Sequence, residues 1–184
     1  MYPFLRFLKA VFTAPRLPPL GLLDPHISRH ICWPVDIDPW RELNNGRTLT
    51  LYDLGRVPMA RRMGMLAGLR AGGYAMAVAG SSVRYRMRIR MFERFTMISR
   101  VLGWDDRFLY IEQSAWKGGD CASQILLRAA VTKPGVKGIV PPQRLVDEMA
   151  PGMQSPELPT WAAAWSAAEA ERPWPPEAAC FLPR

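Results

Sequence analysis

Apolar positions in this chain follow two different periods, and the change falls near residue 74. Phe4, Leu5, Leu8, Val11 and Phe12 recur at helical spacing with Arg6 and Lys9 elsewhere, which predicts a short basic amphipathic helix at Met1–Phe12. Pro15, Pro18 and Pro19 end it. Residues 29–38 read as a first strand. Asn44 and Asn45 then suit a helix start, because Asn is a good N-cap, and Ala71-Gly72-Gly73 closes the helical run. Pro58 falls inside that run, where proline removes a backbone bond and costs about 3 kcal/mol unless the helix kinks or breaks. Two segments are therefore predicted, 45–57 and 58–69, with Pro58 in the first turn of the second.

Beyond Tyr74 the period shortens to two. Residues 83–91 alternate without a fault, giving an apolar face and a row of Arg84, Arg86, Arg88 and Arg90. Residues 95–104 and 108–116 read as further strands about an Asp105-Asp106-Arg107 turn, and 121–132 as another after Gly118-Gly119-Asp120. Four long antiparallel strands after a helix predict an α+β domain in which that helix covers the sheet. After Pro134 come a short helix near 143–149, an Ala-rich helix over 160–171 with Trp161, Trp165 and Ala168 along one side, and a Pro-rich end. The expected organisation is an amphipathic and Pro-rich lead (1–28), the α+β domain (29–133), and a C-terminal extension packed on it (134–184).

Composition narrows this little. A chain of 184 residues, 49% apolar and 22% charged, suits one globular domain with a real core. Three cysteines, Cys32, Cys121 and Cys180, are too sparse and odd for a disulfide framework and point to a reducing compartment. The longest stretch without a charge, 71–83, is too short to span a membrane, and no secretory cleavage pattern is read after the first residues. A cytoplasmic protein, peripheral to a membrane at most, is expected. A net charge of +8 favours anionic partners: nucleic acid, anionic lipid, or the phosphates of coenzyme A.

The chemistry concentrates between Val35 and Arg56. Two acids stand at alternate positions, Asp36 and Asp38, followed by Pro39 and by Asn44-Asn45-Gly46 at the helix start. A carboxylate just ahead of a helix N-terminus supplies a base or nucleophile, while the first N–H groups stabilise a developing oxyanion. Ordinary capping of loop and helix is the alternative reading of the same residues.

These residues resemble the hotdog-fold acyl-CoA thioesterases of the 4-hydroxybenzoyl-CoA thioesterase type. The D-x-D element matches Asp36-Ile37-Asp38, the H-x-N-N loop matches Glu42-Leu43-Asn44-Asn45, and the D-x-A-R helix element matches Asp53-Leu54-Gly55-Arg56. Leu102–Arg107 with Tyr110-Ile111-Glu112, and Pro156–Pro159 before Trp165, look like the branch of thioesterase superfamily member six and its bacterial relatives. The resemblance runs from about Ile31 to Glu171. It implies a hotdog fold and hydrolysis of an acyl thioester without a cofactor, coenzyme A being part of the substrate. Asp38 would be base or nucleophile, with Asn44 and Asn45 as oxyanion donors. It also implies a homodimer joined sheet edge to edge, with a tetramer left open.

Glu42 departs from the family, standing where many members have His, and Thr48 where they often have Tyr; a second acid near Asp38 would raise its pKa or oppose an anionic intermediate. Glu42 and Gly46 border the expected substrate site. Arg84, Arg86 and Arg88 are candidates for the coenzyme A phosphates, against the reading of a solvated face. Nucleic acid is not expected, because no stacking aromatics share the arginine face. No metal site is expected: His26, His30 and Cys32 lack a second cluster to complete four ligands. Ser81 and Ser82 lack the frame of a serine hydrolase. A non-catalytic acyl-thioester or lipid-binding protein, or a membrane-peripheral interaction module, are the competing functions.

Overall fold

The computed structural model describes residues 2–181; Met1 of the amphipathic segment and positions 182–184 of the Pro-rich end lie outside it. The elements run α1 (Phe4–Thr13), β1 (His26–Ile31), α2 (Asn45–Arg62), α3 (Met65–Gly72), β2 (Ala75–Tyr85), β3 (Arg94–Trp104), β4 (Leu109–Lys117), β5 (Asp120–Thr132), α4 (Pro142–Met149) and α5 (Thr160–Glu171). All strands pair antiparallel in one sheet of order β1-β3-β4-β5-β2. The long helix α2 covers the sheet, as the need to cover one apolar face requires. Leu51, Tyr52, Leu54 and Met59 of α2 are buried with Met97, Leu109, Ile111 and Ile125 of the strands. At Gly55 the helix lies tight on the sheet, since an added Cβ would meet Met97 Sδ and Ser99 Oγ at 2.6 Å. Hotdog architecture is thus reached by one long helix packed on one antiparallel sheet.

Three boundaries differ from the sequence reading. The first strand ends at Ile31, because Trp33-Pro34 turns the chain into a 3-10 turn over Pro34–Asp36. Asp36 is therefore not on a strand face; its side chain is buried. The long helix does not break at Pro58 but runs through it to Arg62, and the break falls at Gly64, whose φ of 77° ends the helix in the left-handed region. The third difference concerns the arginine row. The strand preceding it starts at Ala75 and stops at Tyr85, where its partner β5 reaches Ser123 close to the Gly118-Gly119 turn. Arg86 and Met87 N–H both donate to Ala122 O, so Arg86, Arg88 and Arg90 lie in a connection and not on one strand face.

At the far end, α4 packs on α3, and α5 packs on a second apolar cluster of Leu102, Phe108, Tyr110, Leu126 and Ala130. The helix contributes fully buried Ala162 and partly buried Trp165, while Trp161 is exposed. The side expected to carry Trp161, Trp165 and Ala168 together is therefore not the packed one. Arg128 lies over the rings of both Phe108 and Trp165 and pairs with Glu169 of α5 at 3.2 Å.

Candidate functional site

The loop from Cys32 to Asn45 is built on Asp36. Its carboxylate accepts from Trp33 N–H at 3.0 Å, from both terminal nitrogens of Arg6 at 2.8 and 2.6 Å, and from Arg47 Nε at 2.7 Å. Its backbone carbonyl accepts from Asn44 N–H at 3.0 Å. Burial alone would raise the Asp36 pKa, but the hydrogen bonds from Arg6, Trp33 and Arg47 outweigh it and hold the carboxyl below its usual value. One side chain thus ties together α1, the D-x-D loop and the first turn of α2.

Asp38 lies in the tight turn that follows. Ile37 and Leu43 bridge antiparallel, and Asp38 N–H donates to Glu42 O at 2.9 Å. Oδ1 of Asp38 accepts from Trp40 N–H at 2.9 Å and, at 3.4 Å, from Glu42 N–H. Its Oδ2 has no partner among the described residues. The turn needs a left-handed residue, and Arg41 supplies it with φ of 61°.

Asn44 is the N-cap of α2, its side chain accepting from Arg47 N–H at 3.0 Å and its carbonyl from Thr48 N–H at 2.8 Å. The N–H groups of Asn45 and Gly46 have no acceptor among the described residues, as the first donors of a helix must lack one within the helix. Beside them opens a cavity of about 210 Å³ lined by Glu42, Asn45, Thr48, Tyr85, Arg86 and Arg88, among others. Tyr85 O–H donates to Asn45 O at 3.0 Å and closes one side.

Of the residues singled out in the sequence, the fold brings Glu42, Asn45, Arg86 and Arg88 to this cavity. Asp38, Asn44, Gly46 and Arg84 do not line it. The second acid expected beside Asp38 is compensated: Arg88 Nε stands 2.8 Å from Glu42 Oε2. The contact is ionic and not a directed hydrogen bond, since that oxygen receives no aligned N–H. Among the described residues no group of three or more His, Cys, Asp or Glu could hold a metal ion.

Sequence reasoning missed the anchoring of this site. Arg6 belongs to a helix read only as amphipathic, yet it holds Asp36 thirty residues on. Asp53 and Arg56, matched to the family's helix element, form an ion pair, and Arg56 donates to Gln113 Oε1 at 2.9 Å. Gln113 is fully buried and donates in turn to Tyr52 O and Ser99 Oγ, both at 2.8 Å. The available signal was alternation: Gln113 falls at the same parity as the buried Leu109, Ile111 and Ala115.

Residues 32–165 match the family model of the thioesterase-like superfamily. The chain belongs to that superfamily. Within it, the chain is 35% identical over 112 residues to protein THEM6 of Xenopus laevis, covering 60% of this chain and 54% of the relative. It therefore spans about half the length of that relative. Among solved structures it resembles the probable thioesterase YbaW of Escherichia coli, with a TM-score of 0.62 at 13% identity, covering 67% of this chain and 98% of that one. It also resembles the hypothetical protein SAV2348 of Staphylococcus aureus, solved in complex with CoA, with a TM-score of 0.57 at 12% identity over 76% and 91% of the two chains. These structural likenesses establish the hotdog fold, and family membership makes thioester chemistry the first function to examine at this loop.

Proposed function

We propose that this chain is a thioester hydrolase acting on acyl-CoA, with its chemistry at the junction of the Asp38 turn and the N-terminus of α2. The observation that carries the reading is the start of α2: Asn45, whose N–H has no acceptor among the described residues, lines a cavity with Arg86 and Arg88, and Gly46 follows with a second open N–H. Such donors suit the oxygen of a tetrahedral intermediate. Asp38, with one carboxylate oxygen held by its own turn and the other open, is the group to attack the thioester carbonyl or take a proton from water. If Asp38 attacks, the C–S bond breaks to give an acyl-Asp38 anhydride and the coenzyme A thiolate, and water then cleaves the anhydride to release the acid. If Asp38 takes a proton from water, the hydroxide adds to the carbonyl and the C–S bond breaks directly to acid and thiolate; no metal or serine is required in either case. Arg86 and Arg88, which line the cavity, and Arg84 on the end of β2 are the candidates for the phosphates of coenzyme A. That SAV2348 was solved with CoA supports this class of ligand.

The same geometry favours a second reading in one respect. Asp38 already serves its turn and does not line the cavity, and Glu42 is engaged by Arg88. Those features suit a protein that binds acyl thioesters without turning them over. A panel of acyl-CoAs of graded chain length separates the two: steady hydrolysis lost in Asp38→Ala supports the hydrolase, and saturable binding without turnover supports the binder.

Two further properties belong to this proposal. Among the described residues no strand pairs with the outer edge of β2, which is eleven residues long and uncharged before Arg84, an edge that would aggregate unless covered; a second copy joining there gives a homodimer. Helix α1 turns Phe4, Leu5, Leu8 and Phe12 to solvent, at 62%, 86%, 46% and 65% exposure, beside the cation of Lys9. That face suits weak contact with an anionic membrane surface. Among the described residues no helix is long and apolar enough to cross a membrane.

A further inference from the structure

A second cavity, of about 420 Å³, opens between α1 and β1, and none of residues 34–53 contributes to it. Helix α1 packs on α2 and is fastened by Arg6 to Asp36, so it stands beside the outer edge of β1 without a strand between them. The walls are Ala10, Ala14, Leu17, Leu54 and Pro58. The floor is one face of β1, carrying His26, Ser28 and His30. One ring nitrogen of each histidine is engaged: Arg62 Nη1 lies 2.8 Å from His26 Nδ1, and Ser28 Oγ lies 2.7 Å from His30 Nε2. Burial foremost, with the charge of Arg62 beside His26 and of Arg6 beside His30, pushes both imidazoles down to about 4, so they are neutral near pH 7.

Every charged residue lining the cavity is a cation: Arg6, Lys9 and Arg29. Arg6 is taken by Asp36, whereas Lys9 and Arg29 are exposed and form no ion pair among the described residues. Aliphatic walls, a floor of neutral polar groups, and a mouth carrying two uncommitted positive charges define a complementary ligand. We infer that this groove binds an amphiphile with an apolar chain and an anionic head, of the fatty-acid class. The chain would lie along α1 over Ala10 and Ala14, and the head would meet Lys9 and Arg29. The site is separate from the Asp38 turn, and its occupancy does not depend on whether the chain hydrolyses thioesters.

The test is isothermal titration of the full chain with decanoate below its micelle concentration, with decanol as the uncharged match. Wild type should bind decanoate saturably, one per chain, and decanol more weakly. Ala10→Trp fills the groove from α1 and should weaken decanoate binding by at least about tenfold, with circular dichroism confirming the fold. Lys9→Glu combined with Arg29→Glu changes only exposed side chains, so it serves even if the Trp variant fails to fold. It should weaken decanoate by about tenfold and leave decanol nearly unchanged. No saturable binding to wild type overturns the inference. So does a folded Ala10→Trp protein of unchanged affinity, which would put decanoate elsewhere, for instance at the Asp38 turn. Decanol binding as tightly as decanoate overturns the anionic head.

Discussion

Asp36 and Asp38 differ by two positions, and the fold gives them unlike tasks. Asp36 is buried under three hydrogen-bonding groups from three segments, so Asp36→Ala removes the shared acceptor of a buried charge cluster. Breaking such a pair from one side costs roughly 3–5 kcal/mol, and urea unfolding should show a loss of that order. Asp38→Ala forfeits a turn-capping acceptor, worth about 1 kcal/mol, but as base or nucleophile it should lower turnover by roughly 10²–10⁴-fold. Equal stability losses in the two variants would contradict this division. The acid side of the stability profile follows from the same cluster and from the histidines. Asp36 titrates below its unfolded value, so its contribution is present above that value and lost as pH falls through the folded one. His26 and His30 are also depressed, from 6.5 to about 4, and the unfolded chain takes up their protons first. Stability should thus decline as pH falls from about 6.5 toward 4. His26→Asn, which keeps an acceptor for Arg62, should flatten that decline in melting temperature against pH. The sequence showed the D-x-D element and the Asn cap, because both are local. It did not show that Arg6 and Arg47 converge on Asp36, because a contact across thirty residues leaves no periodicity to read.

At the scale of elements, the strands β3, β4 and β5 were legible almost to the residue, since polar turns bound them on both sides. The errors arose where two local rules conflicted. Proline was expected to break the long helix, yet Pro58 is buried against the α1 groove, and tertiary packing outweighs one missing backbone bond. Gly64 makes the break instead. An alanine there meets no neighbouring atom but must adopt φ of 77°, so Gly64→Ala should cost about 1–2 kcal/mol through backbone strain alone, seen as a lower urea midpoint with unchanged slope. The arginine alternation failed for a different reason. Period-two spacing shows what a strand would look like, but β5 begins only three residues beyond Ser123, at Asp120, and Arg86 and Met87 both turn their N–H groups to Ala122 O, which ends the ladder. The consequence for the site is favourable: freed from the strand, Arg86 and Arg88 reach the cavity at the start of α2 and one of them offsets Glu42.

For the molecule as a whole, the open question is what covers the two sheet edges. The β1 edge has α1 standing beside it, with Arg6 reaching toward Ile31 O. Among the described residues no strand pairs with the outer β2 edge, and its middle carries Val78 at 53% exposure. A charge in the middle of an edge strand is a device natural sheets use against pairing, and here it is absent until Arg84. Two copies meeting antiparallel about a two-fold axis would bring their Val78 side chains near one another, where like charges repel. Val78→Lys should therefore leave the chain folded, since the side chain faces solvent in the single chain, while shifting sedimentation equilibrium from dimer toward monomer. Val78→Thr, uncharged and suited to a strand, should keep the dimer. If the substrate site is completed across that edge, hydrolysis per chain should fall in Val78→Lys in proportion to the monomer fraction and recover at higher protein concentration. A wild-type chain that is monomeric at micromolar concentration would leave the β2 edge uncovered and refute the edge-to-edge dimer outright.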